Sequence, residues 1–257
     1  MIEKCFMALL CAVVAVGMWA QPLPDQVISI NGITTHYVAE GPVDGPAAIM
    51  VHGNGGSYKD MAIAAKAMAE AGYRVYSLDS RGQGQNAPLD EYHYFDMAQD
   101  VDAFIVKQNL QQPVVLGFSD GGIIAILLAM LHPEHVKAIA TCGANVQPDG
   151  IVPQAYADFK RWVEEAMERG EKIPALTKMM LDEPTLTPEQ LQTITVPALI
   201  MAGDNDLITF EHTIHIHKNI KGSSMLILGN EDHGSYVMRS SKAADHFVTF
   251  LKGLYAK

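Results

Sequence analysis

The sequence predicts an α/β domain built on a mostly parallel, twisted sheet with helices on both faces. Three observations predict it. Strand-like apolar runs and helical periodicities alternate along most of the chain, a rhythm that sets strands side by side with helices as crossovers. The 257 residues, 49% of them apolar, suffice for one large α/β domain or two small ones with a sizeable core. The run Gly117-Phe118-Ser119-Asp120-Gly121-Gly122 lies between an apolar stretch at 113–116 and a helix-like stretch at 123–131, so a serine sits on a sharp strand-to-helix turn.

The elements follow in order. Residues 27–30 and 33–38 flank Asn31-Gly32, whose tolerance of positive φ makes a two-residue hairpin turn. A short buried strand at 47–51 precedes helical spacing at 61–71 and a strand at 73–78. A helix at 97–110, a strand at 114–116, a helix at 121–131 and a strand at 136–141 continue the alternation. It breaks after Asn145, where prolines at 148, 153, 174, 184 and 188 punctuate two amphipathic stretches, 154–169 and 173–181. Residues 146–194 are therefore expected to form an inserted helical cap, with 21–145 and 195–257 as the core. A strand at 198–202, a helix at 210–220, a strand at 225–228 and a closing helix at 240–254 complete the pattern.

The first twenty residues differ from the rest: Lys4, an apolar stretch from 6 to 18, then Ala20 before Gln21. This pattern predicts a secretory signal peptide at 1–20 and an exported, periplasmic or secreted, protein. Its apolar stretch and all later ones are shorter than the roughly 18 residues a spanning helix needs, so no stable membrane insertion is expected after signal removal. Removal of Cys5 and Cys11 would leave Cys142 without a disulfide partner, expected as a small core residue in its apolar run. The charge of −11, from 18 basic and 29 acidic side chains, argues against a nucleic-acid surface, which needs clustered Lys and Arg.

The turn at Ser119 fits the nucleophile-elbow pattern G-x-S-x-G, in which Gly117 and Gly121 let strand and helix pass closely. It would lift the hydroxyl above the sheet edge and aim the first N–H groups of the next helix at the same point, where an oxyanion would develop. A serine nucleophile needs a base and an orienting carboxylate. His233 is the leading base among ten histidines because it lies in the polar, glycine-flanked stretch 229–234, beyond a strand end where ligands of such sheets bind. Asp204 and Asp206, in the loop after the strand at 198–202, are both candidates for the carboxylate.

With these motifs in order, the chain resembles the α/β-hydrolase fold family over essentially everything after residue 20. His52-Gly53-Asn54-Gly55-Gly56 matches the family's His-Gly oxyanion loop, and Asp79-Ser80-Arg81-Gly82-Gln83-Gly84 its Asp-x-Arg-Gly-x-Gly turn. The elbow and the Gly-Asp-x-Asp loop complete the set. The resemblance implies a catalytic set of Ser119, Asp206 and His233, preferring Asp206 to Asp204. It implies backbone N–H groups of Asn54 and Asp120 as oxyanion donors, and no cofactor or metal in the reaction. The expected activity is hydrolysis of a carboxylic ester, lactone or thioester of a small to medium substrate through a Ser119 acyl-enzyme. The alternative is a non-hydrolytic lyase or ligand-binding protein of the same fold. Epoxide hydrolases and haloalkane dehalogenases of the family carry aspartate at the elbow, and Ser119 departs from them.

Other residues take plainer expectations. His52 fixes its loop, and Asp79 and Arg81 stabilise their turn. The Asp120 side chain is divided between a substrate contact and a helix cap. His212 and His215, one helical turn apart, are expected on a solvated face. Trp162, Met167, Met179 and Met180 are divided between an acyl pocket and ordinary cap packing.

Overall fold

The structure is a computed structural model that describes residues 25–255. The expected signal peptide at 1–20 lies outside the described residues. One eight-stranded sheet has the order β1-β2-β4-β3-β5-β6-β7-β8, with β1 at Gln26–Ile30, β2 at Ile33–Glu40, β3 at Ala47–Val51 and β4 at Arg74–Leu78. The remaining strands are β5 at Val114–Phe118, β6 at Ala138–Cys142, β7 at Ala198–Asn205 and β8 at Ser224–Asp232. β1 and β2 form the expected hairpin, Asn31 and Gly32 adopting φ of +46° and +79°. β2 pairs antiparallel with β1 and β4, and every later pairing is parallel.

The sequence of the central strands explains their burial on both faces. Along β3, Ala48 and Met50 enter one core while Ile49 and Val51 enter the other, and β7 alternates likewise through Ile200 and Met201. A parallel sheet covered on both sides needs apolar residues at both parities, which these runs supply. One layer holds α1 (Ala62–Glu70) with two later helices, α8 (Ser235–Met238) and α9 (Lys242–Tyr255). The other holds α2 (Tyr94–Lys107) and α3 (Asp120–Leu131). α3 is apolar nearly all round and buried over most of its length, as expected of a helix enclosed by sheet, α2 and later elements.

Between β6 and β7 the chain forms α4 (Pro153–Glu168), α5 (Ala175–Asp182) and the single turn α6 (Pro188–Leu191). Thr187 and Gln190 open α6 with a capping box, the S/T-x-x-E/Q device. α7 (Phe210–Asn219) follows β7. Two differences from the sequence expectation matter for the site. β7 continues to Asn205 and β8 to Asp232, where polar loops were expected, and the strand ends pair as Asn205↔Asp232 across a register irregularity. Polar residues there tolerate strand geometry because the sheet's C-terminal edge faces solvent. The turn α8, directly after β8, was also not foreseen.

Candidate active site

Ser119 ends β5 and begins α3 with φ +53° and ψ −117°, a backbone conformation that costs a non-glycine residue on the order of 1–3 kcal/mol. Fixed partners hold it there. Its N–H donates to Cys142 O at 2.8 Å, and its carbonyl accepts from Gly122 N at 2.8 Å and Ile123 N at 3.2 Å. The flanking glycines are sterically required. A Cβ on Gly117 would lie 2.0 Å from Gly121 O, and one on Gly121 would lie 2.1 Å from Val51 O.

The structure brings three distant residues together at the C-terminal edge of the sheet. His233 Nδ1 lies 2.6 Å from Asp206 Oδ1, and His233 Nε2 lies 3.1 Å from Ser119 Oγ. Because a carboxylate accepts, Nδ1 carries the proton and the bare Nε2 faces the serine hydroxyl. The paired strand ends create this proximity: Asp206 leaves β7 where β8 hands His233 to α8. Gly143 makes room for the imidazole, since a Cβ there would lie 2.8 Å from His233 Nδ1.

Asp206 is buried, and burial alone pushes its carboxyl upward. The hydrogen bond and charge interaction with His233 outweigh this, as do the N–H groups of Gly203 and Ile208 at 3.0 and 3.1 Å, and hold it below the usual value. Tyr236 OH adds a bond at 3.2 Å, a partner the sequence did not reveal. Asp204, the rejected acid, is exposed and accepts from Glu231 N at 3.1 Å, so it fastens β7 to β8 and makes no hydrogen bond to the imidazole.

The loop expected to supply the first oxyanion donor is held by its own histidine. His52 Nδ1 donates to Gly53 O at 2.7 Å, leaving Nε2 to accept from Ser80 N at 3.0 Å. Burial pulls its pKa down, which suits the neutral ring these bonds require. Gly55 N donates to Gln83 Oε1 at 2.7 Å, and Asp79 accepts from Tyr58 N and Gln85 N. The two glycine-rich motifs are thus one hydrogen-bonded unit. Arg81 grips Asp100 with two bonds, at 2.6 and 2.8 Å, and reaches Asp96 at 3.1 Å.

The Asp120 side chain departs from the expected helix cap. It is buried, it makes no capping bond, and its two carboxylate oxygens accept from Tyr94 OH and Asn54 Nδ2, each at 2.8 Å. Burial raises its pKa to about 6 against the opposing pull of Asn54 and Tyr94. The Asn54 bond therefore joins the two residues whose N–H groups were expected to face an oxyanion. Asp120 N opens α3, where no carbonyl one turn back can receive it within the helix.

His212 is not on a solvated face. Its Nε2 accepts from Val146 N at 2.9 Å, its ring fills the space beside Gly150, and burial lowers its pKa to about 4. Trp162 and Met167 of α4 are exposed, whereas Met179 of α5 enters the core. Cys142 is buried, and burial pushes its thiol upward.

Residues 46–181 match the profile of the alpha/beta hydrolase fold family. The chain belongs to the alpha/beta hydrolase fold family. Among relatives of this α/β hydrolase is the serine hydrolase BPHL of Homo sapiens, 24% identical over 243 residues that cover 86% of this chain and 82% of that protein. The bifunctional epoxide hydrolase 2 of Sus scrofa is 32% identical over 120 residues, which cover 46% of this chain but only 21% of that longer protein. The crystal structure of carboxylesterase CesB from Bacillus subtilis superposes with a TM-score of 0.73 at 19% identity, covering 91% of this chain and 93% of the other. The chain is a hydrolase of this family.

Proposed function

We propose that this α/β hydrolase cleaves a carboxylic ester, lactone or thioester of a small to medium substrate through an acyl-enzyme on Ser119. The observation that carries this reading is the continuous chain Asp206–His233–Ser119, with contacts of 2.6 and 3.1 Å. In the first half-reaction His233 Nε2 takes the proton from Ser119 Oγ as the oxygen attacks the acyl carbonyl. The oxyanion turns towards the N–H groups of Asn54 and Asp120, each worth about 3 kcal/mol in such sites. His233 then returns the proton to the leaving group, and Asp206 stabilises the imidazolium without taking its proton. Water, activated by the same imidazole, releases the acid.

Serine in place of an elbow aspartate supports acyl transfer over epoxide opening, despite the partial likeness to an epoxide hydrolase. Segment 146–194, rising between β6 and β7, is proposed as a cap over this edge. The N-terminal pattern at 1–20 supports export.

The test is turnover of p-nitrophenyl esters of graded acyl length by the full chain and by Ser119→Ala. The expected result is a fall in kcat of at least about 1000-fold with the fold retained by circular dichroism. Unchanged turnover would remove Ser119 from the chemistry.

A further inference from the structure

At the opposite end of α3 from Ser119, three potential metal ligands converge. Asp102 comes from α2, His132 closes α3, and His135 ends the short turn Pro133–His135. Each can place one ligand atom within 4.8 Å of the others. Asp102 Oδ1 lies 2.6 Å from His135 Nδ1 and 3.7 Å from His132 Nδ1. The two imidazoles are nearly parallel, 4° apart with centroids separated by 5.8 Å.

The orientation of His132 is the informative part. Its Nε2 lies 3.2 Å from Gln99 Oε1. An amide oxygen only accepts, so Nε2 carries the proton and the neutral ring turns the lone pair of Nδ1 towards Asp102. His132 Nδ1 and Asp102 Oδ1 then face each other as acceptors across a gap too long for a hydrogen bond, while His135 Nδ1 donates to the same oxygen at 2.6 Å; a cation that displaces this proton joins all three. A second partner on the far nitrogen is how ligating histidines are ordinarily fixed. The C-terminal end of α3 adds its negative dipole end beside His132, and Glu134 Oε1 stands 4.0 Å from both imidazoles.

We propose that Asp102, His132 and His135 form a binding site for a divalent transition-metal ion, of which zinc fits best. Two imidazole nitrogens and one carboxylate suit zinc, whereas calcium and magnesium favour oxygen ligands throughout. Ligand atoms around tetrahedral zinc stand about 3.3 Å apart, given bonds of ~2.0–2.1 Å. The contacts of 2.6 and 3.7 Å bracket that spacing, and all three ligand atoms lie within 4.8 Å of one another, so side-chain rotations without backbone movement complete the site. Glu134 or water takes the fourth position. The 12 residues of α3 put about 18 Å between this site and the nucleophile, so the ion ties α2 to the end of α3 and takes no part in acyl chemistry.

Zinc retained by the full chain after chelator treatment and dialysis against zinc chloride tests the site. One ion per chain is expected, with a rise in Tm. Asp102→Asn and His135→Ala abolish both, and Gln99→Ala weakens binding by about 10- to 100-fold. His215→Ala, on α7, leaves binding intact. Should a ligand variant fail to fold, the visible absorption of the wild-type cobalt(II) complex reports tetrahedral nitrogen and oxygen ligation directly. Absence of bound zinc in the wild type, a featureless cobalt spectrum, or undiminished binding in the Asp102→Asn and His135→Ala variants would each overturn the proposal.

Discussion

At Asp120, a carboxylate that burial drives towards its neutral form also joins the loop of Asn54 to the turn of Ser119. Both oxygens accept hydrogen bonds, so the network is complete only when the group is ionised. Its folded-state pKa, raised from 3.8 to about 6, lies above the unfolded value. The native state therefore holds the extra proton between those values, and this stability is full below 3.8 and lost as pH rises through about 6. On the proposed mechanism activity moves oppositely, because the ionised form holds the loop of Asn54 against the turn of Ser119. Asp120→Asn leaves a donor amide against Tyr94 or Asn54 and strands one bond, a loss of about 1–3 kcal/mol. We predict a roughly 10-fold fall in kcat/KM, carried by kcat, and a shallower acid limb in which one proton dependence has vanished. Steady-state kinetics between pH 5 and 8 check this; an unchanged profile would make Asp120 structural only. Ser119 and His233 were nameable from sequence because glycines flank each and a strand signal precedes it, whereas the residues alone left Asp204 and Asp206 both open and only the family resemblance preferred Asp206. Tyr94 and Tyr236 were not nameable, since a buried aromatic in a helix carries the same pattern whether its hydroxyl is employed or not.

Among the elements, α7 carries a fastening that its sequence disguised. His212 and His215 one turn apart suggest a solvated stripe, yet the start of segment 146–194 descends onto His212 and uses its Nε2 as an acceptor. Burial lowers the folded pKa from 6.5 to about 4, so between those values the unfolded chain binds a proton that the native chain excludes. The stability contributed by neutral His212 is full above pH 6.5 and falls as pH drops towards 4. Allowing for partial solvent contact, it amounts to on the order of 2 kcal/mol. His212→Gln should lower stability at pH 7 by about 1 kcal/mol and flatten the decline between pH 6.5 and 4, measured by urea unfolding at several pH values. A slope equal to that of the wild type would contradict the assignment. The strand extensions at 203–205 and 229–232 escaped sequence reading for a related reason. Their polar residues resemble a loop, and only the pairing of the two strand ends, Asn205 with Asp232, makes them strand.

For the whole molecule, apolar residues at both parities of the central strands make a sheet buried on both faces, and the antiparallel hairpin is written in Asn31-Gly32. The strand order was not written locally, because it depends on which crossover passes over which face. That order sets the ends of β5, β7 and β8 along one edge and brings Ser119, Asp206 and His233 within hydrogen-bonding reach. Identification of the residue modified by a fluorophosphonate, by peptide mass spectrometry of the full chain, tests this convergence most directly. One adduct per chain is expected, on the peptide containing Ser119, lost in Ser119→Ala and strongly slowed in His233→Ala. An adduct elsewhere, or labelling that survives Ser119→Ala, would contradict it.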